Sequence, residues 1–130
     1  MKKDIFKAGK TLDSAFLEAV YEDNIPTAVS IFQQYLEELP SDLQALKQSF
    51  QSGDRDEFVR LVHKKKVAYS YVGLTAITSE LSALELKCAG TDNLKQFEEE
   101  VSSLIKKIET STKEVQTVFA LLQQSEENDA

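Results

Sequence analysis

One histidine, His63, and one cysteine, Cys88, stand in a chain of 130 residues that has one methionine and no tryptophan. That scarcity limits the chemistry. A structural zinc site takes four Cys or His ligands, which two residues cannot supply. A di-iron bundle site needs Glu-x-x-His on each of two helices, whereas the residue three before His63 is Arg60. The four glycines stand apart at positions 9, 53, 73 and 90, so no glycine-rich loop can cradle a nucleotide phosphate. A Gly-x-Ser-x-Gly nucleophile elbow is also missing. Acidic runs such as Glu98-Glu99-Glu100 fit solvated helix faces. Neither a metal nor a cofactor is expected, which leaves an imidazole and the lysines around it.

Imidazole is a nucleophile near neutral pH without help from a base, because its unperturbed pKa is about 6.5. At about 100° per residue, His63 points roughly 160° away from the face set by Phe58, Leu61 and Tyr69, and so toward solvent. Its neighbours at helical spacing are Val59, Lys66, Val67 and Ser70. From Phe58 to Ser79 there are Arg60, Lys64, Lys65 and Lys66 and no acid, within a chain whose net charge is −7. A phosphoryl group on His63 would be supported by the Lys66 ammonium one turn along. Val59, Arg60, Lys64, Val67 and Ser70 would then form the surface that a partner meets. Spacing alone leaves other readings open. One is a solvated histidine with no role. Another is a non-catalytic helical adaptor that binds its partner without phosphotransfer, and a third is a structural subunit assembling through the last helix.

The elements that must hold His63 read as helices throughout. Apolar residues at Ile25, Val29, Phe32, Leu36, Leu39, Leu43, Leu46 and Phe50 step by four and three, one buried stripe on a helix. The stripe keeps its phase across Pro40, which predicts one long helix kinked there, with Gly53 as its stop. A third helix opens near Asp54, buries Phe58, Leu61, Val62, Tyr69 and Val72, and ends at Gly73. The fourth carries Leu74, Ile77, Leu81, Leu84 and Cys88, so Cys88 reads as a packing residue. Thr91 or Asp92 is expected to cap a last helix of about 30 residues. Its stripe runs from Leu94 and Phe97 through Val101, Leu104, Ile108, Val115 and Val118 to Leu122, interrupted at Ser111. A short first helix would bury Leu12, Phe16, Ala19 and Val20. These stripes predict an all-α fold, an antiparallel up-and-down four-helix bundle with a short extra N-terminal helix. Residues 1–130 form one domain, with frayed tails at 1–10 and 125–130.

Composition narrows the partners. A net charge of −7 argues against nucleic acid, whose binders carry an excess of Lys and Arg. No apolar run of signal-peptide or membrane-span length occurs, so no membrane association is expected. One cysteine forms no internal disulfide, which fits a reducing, cytoplasmic location.

The stretch Leu61-Val62-His63-Lys64-Lys65-Lys66, followed by Val72-Gly73-Leu74 and Leu84-Glu85, resembles the histidine-containing phosphotransfer (HPt) domain. That family's pattern is a His, a Lys three residues on, a Gly about ten on and a Leu-Glu pair some twenty-two on. Tyr35-Leu36-Glu37-Glu38-Leu39-Pro40 resembles the segment that precedes the active helix. The similarity spans about Phe16 to Leu122. It implies a phosphorelay intermediate of two-component signalling, with His63 as phosphoacceptor, Lys66 as phosphate support, and Gly73 and Glu85 as structural positions. Implied partners are response-regulator receiver domains and hybrid sensor kinases. Mg2+ would sit on the receiver only, and the protein itself would bind no ATP and have no kinase activity. A monomer is expected. Two positions depart from the pattern: Val67 stands where a Gly commonly follows the lysine, and Lys65 where a Leu commonly faces the bundle. The Lys65 stem is expected to pack inward while its ammonium snorkels out.

Overall fold

Side chains that accept backbone N–H groups set the starts of the first three helices. The structure, a computed structural model, describes residues 4–129. Asp13 accepts from the Phe16 amide and opens α1 (Ser14–Tyr21), and Asn24 accepts from Thr27 to open α2 (Ile25–Gln51). Asp54 accepts from Glu57 and opens α3 (Arg55–Ser70), as the sequence predicts. After these come α4 (Thr75–Ala89) and α5 (Glu98–Asp129), with 3-10 turns at Phe6–Ala8 and Leu94–Phe97. There is no strand among the described residues. The helix α2 continues through Pro40, whose ring is exposed. Pro40 has no N–H to offer the Leu36 carbonyl, and that one bond is lost on the solvent side, where water can replace it.

Packing closes a ring: α2 lies against α3, α3 against α4, α4 against α5, and α5 against α2. Side-chain pairs give the chain direction across two of these seams. Between α3 and α4, His63 meets Glu85 and the Lys66 carbonyl accepts from Thr78. Between α4 and α5, Lys107 pairs with Glu80 and Lys87 with Glu100. In both, residue numbers rise on one helix as they fall on the other. The stripes expected for α4 and α5 are buried, Ile77, Leu81, Leu84 and Cys88 on one and Val101, Leu104, Ile108, Val115, Val118 and Leu122 on the other. Ser111 sits buried in that second row and donates its hydroxyl to the Ile108 carbonyl at 2.7 Å, so the break in the stripe leaves no orphan donor. No described helix is long and apolar enough to cross a membrane.

Three local expectations are corrected. In α1 the buried residues are Leu17 and Tyr21, while Ala19 and Val20 are exposed and Phe16 half-buried. The eight-residue helix is too short for its own pattern to outvote the surface on which it lands. Residues 1–10 are not a tail from Ile5 on: Phe6 is buried against Tyr21, with ring centroids 5.9 Å apart, and Gly9 is buried too. Residues 1–3 and 130 lie outside the described residues, and 125–129 continue α5. Thr91 and Asp92 do not cap the last helix; Asn93 caps the turn that precedes it, accepting from Lys95.

Gly73 holds the entry strap to the bundle. Its φ of +90° lies in the left-handed region, and a Cβ there would come within 2.8 Å of Leu17 Cδ1 and 2.9 Å of Leu12 Cβ. Its carbonyl accepts from the Asp13 amide at 2.8 Å, and Asp13 also accepts from the Thr75 hydroxyl. The N-terminal strap, α1 and the α3–α4 turn are thereby locked together.

Candidate functional site on the α3–α4 face

Helix α3 buries Phe58, Val62 and Tyr69, and this fixes the direction of every other side chain on it. His63 is rotated away from that row and its side chain is 69% exposed, as the helical angle predicts. Its ring is not free, however. His63 Nδ1 lies 3.0 Å from Glu85 Oε2 and 3.2 Å from Glu85 Oε1 on α4. Lys66 Nζ reaches the same carboxylate, 2.8 Å from Oε1. Glu85 therefore joins the histidine and the lysine, each one turn from the other on α3, through a single group on the neighbouring helix.

The hydrogen bond from the Lys66 ammonium, aided by the one from His63, holds the Glu85 carboxyl below the usual carboxylate range against the opposing effect of burial. An ionised carboxylate can only accept hydrogen bonds, so the imidazole proton belongs on Nδ1. The lone pair of the neutral ring is then on Nε2, which makes no hydrogen bond to any described residue and faces solvent. A carboxylate that accepts from one ring nitrogen and so fixes the tautomer is a general device for aiming the other nitrogen outward.

The basic island expected from the linear sequence is mostly neutralised. Arg60 pairs with Glu57, Lys66 with Glu85, and Lys65 with Asp42 at 3.0 Å, with Glu38 at 3.9 Å beyond. Lys65 does not snorkel into free solvent: its side chain is 14% exposed and its charge is met on α2. Lys64 is exposed and has no ion pair among the described residues. The acids that meet Lys65 and Lys66 come from α2 and α4 and are invisible to a count along α3, while Glu57, the partner of Arg60, lies just before the acid-free stretch on α3 itself. Of the other candidates, Val67 is 58% exposed beside His63, while Val59 is partly buried against the core. The Ser70 hydroxyl donates to the Val67 carbonyl at 2.8 Å. Gly73 is remote from the imidazole and belongs to the strap junction. Glu85, expected at a structural position, is instead in direct contact with His63; the only signal for it in the sequence was the Leu84-Glu85 pair. No group of three His, Cys, Asp or Glu side chains among the described residues is placed to hold a metal ion.

The family model described as the Hpt domain matches residues 30–124, a span that holds His63, Lys66, Gly73 and Glu85 and begins after α1. No curated protein and no solved structure gives a significant match. With most of its length covered by that model, and with an exposed histidine on a helical bundle, the chain belongs to the Hpt domain family, whose members take part in histidine phosphotransfer in phosphorelay signalling.

Proposed function

We propose that His63 is the phosphoacceptor of a cytoplasmic two-component phosphorelay, taking a phosphoryl group from a receiver-domain aspartate and passing it to another receiver. The observation that carries this reading is the bond from His63 Nδ1 to Glu85, because it leaves the Nε2 lone pair directed outward. That lone pair attacks phosphorus, the P–O bond to the aspartate breaks, and the aspartate leaves as carboxylate with its electron pair. No general base is needed, since Nε2 carries no proton to remove. The ring, still protonated on Nδ1, becomes an N-phosphoryl imidazolium whose positive charge lies against Glu85. Return transfer reverses each step: the second aspartate attacks phosphorus and the N–P electron pair goes back to Nε2.

Phosphoryl transfer is mainly positioning and charge stabilisation. In this reading Mg2+ sits on the receiver, and Lys66 supports the phosphoryl oxygens, exchanging its contact with Glu85 for one with the phosphate. Hybrid sensor kinases are the proposed upstream partners. Arg60, Lys64 and Val67 form the exposed ground that the receiver meets. The test is transfer of label from a panel of phosphorylated receiver domains. Wild-type protein should acquire an acid-labile, base-stable label, His63→Gln should acquire none, and Lys66→Ala should label more slowly. Equal labelling of His63→Gln and wild type overturns the proposal, and so does tight receiver binding with no label, the outcome expected of an adaptor.

A further inference from the structure

Helix α4 packs closely on α3 and more loosely on α5, and between α4 and α5 the seam opens into a cavity of about 500 Å3. That size falls inside the range of about 300–1,000 Å3 usual for small-molecule sites. Leu74, Ile77 and Ser111, all buried, line its floor. Both ends are closed. At one, the N-terminal strap reaches α5, where Glu114 accepts from the Thr11 amide at 2.8 Å and from the Thr11 hydroxyl. At the other, Lys107 reaches across the seam to Glu80 at 2.7 Å. From Leu74 to Glu80 the chain rises about 9 Å, which sets the length between the two closures.

The polar groups around the cavity differ in what they have left to offer. Glu80, Lys107 and Glu114 are engaged in the two closures. On α5, Ser111, Thr112 and Thr117 donate to carbonyls one turn back. Ser103 and Thr110 make no such bond, and Lys106 between them has no acidic partner among the described residues. Steps of three and four place these three in one exposed row along the cavity's edge. We infer that the cavity binds a small amphipathic carboxylate. Its apolar body would lie on Leu74, Ala76 and Ile77, and its head group on the Lys106 ammonium with the Thr110 hydroxyl beside it. The donors select the head, because an anion accepts from an ammonium and a hydroxyl at once and charge-assisted hydrogen bonds are the stronger kind. A cationic head would find both acids already engaged. The floor selects the body, since an apolar chain removes Leu74 and Ile77 from water. Glu85 leaves α4 about 140° round from Glu80, on the side of α3. A ligand here therefore leaves the imidazole uncovered, and binds whether or not His63 carries a phosphoryl group.

The probe is octanoate, with octanamide as its uncharged counterpart, each titrated into the full chain and followed by amide NMR. Octanoate should shift the amides of residues 74–80 and 106–114 saturably, with a midpoint of about 1–10 mM for a ligand of this size. Lys106→Ala changes an exposed side chain; it should weaken octanoate about fivefold or more and leave octanamide within about twofold. Ala76→Phe, also at an exposed position, places a ring at the cavity wall and should abolish saturable shifts with both probes. Shifts that do not saturate by about 10 mM, or that map away from α4 and α5, overturn the site. Octanoate bound equally well by Lys106→Ala, or no more tightly than octanamide by wild type, overturns the carboxylate assignment.

Discussion

Replacing Glu85 by Gln keeps the side chain's shape and removes one charge from the contact with His63. In the phosphorylated state the ring is cationic and its Nδ1 lies 3.0 Å from a carboxylate oxygen. Two unit charges at that separation attract by about 1.4 kcal/mol at the dielectric constant of water. The ring is 69% exposed, and its charge is spread and screened, which brings the contribution to about 1 kcal/mol, or about fivefold in an equilibrium. Glu85→Gln would also release the Lys66 ammonium toward the phosphate, so the comparison is best made in a Lys66→Met background. There the equilibrium constant for phosphorylating His63 from a fixed receiver should fall about fivefold on Glu85→Gln. The unphosphorylated protein offers a second readout that needs no partner. In wild type above neutral pH, ring nitrogen NMR should show a protonated Nδ1 and an unprotonated Nε2. In Glu85→Gln this preference should weaken, because an amide can donate or accept. A wild-type ring protonated on Nε2, or an equilibrium unmoved by the substitution, would mean that Glu85 neither sets the tautomer nor stabilises the phosphorylated ring.

Gly73→Ala should be among the most destabilising single substitutions. It combines left-handed backbone strain with a forced approach to Leu12 Cβ, together about 2–5 kcal/mol, to be read as the shift in urea midpoint. Glu85 sets a pH dependence. Its folded carboxyl titrates below the ordinary carboxylate value, so the stabilisation is present above that value and is lost as pH falls through the folded one. Urea midpoints of wild type and Lys66→Ala should therefore differ at pH 7 and converge as pH falls below the ordinary carboxylate range. The Lys65–Asp42 pair separates a single from a double substitution: Asp42→Ala, which leaves a 14%-exposed ammonium with only Glu38 at 3.9 Å, should cost about 1–3 kcal/mol, whereas Asp42→Ala/Lys65→Leu, which removes both charges, should recover most of that loss in the same melts.

The long helices were legible because their signal is local and repeated. Eight apolar positions from Ile25 to Phe50 keep one phase, and the structure carries a single helix across them, Pro40 included. A short repeat does not fix the buried face. In α1 the burial of Leu17 and Tyr21 is chosen by the docking of Phe6 and the Gly73 turn, 50 or more residues apart in the chain for the latter. The strap over Phe6–Leu12 had no periodicity at all to announce it, only two apolar residues that find the bundle end.

From the sequence alone came the outward direction of His63, its lysine one turn on, and the absence of the residues that metal or nucleotide chemistry would need. A helix's own periodicity sets these, and no neighbour can rotate a residue out of its register. Tertiary structure decided the electrostatics. Of the four positive charges without an acid between Phe58 and Ser79, Arg60 pairs with Glu57 three residues back on the same helix, whereas it took α2 and α4 to bring Asp42 to Lys65 and Glu85 to Lys66, leaving Lys64 without an acid among the described residues. The nitrogen that His63 offers to solvent was likewise settled by Glu85, twenty-two residues away. Coulombic and hydrogen-bond partners are fixed by distance in space, and a chain that folds back on itself makes that distance independent of position along it.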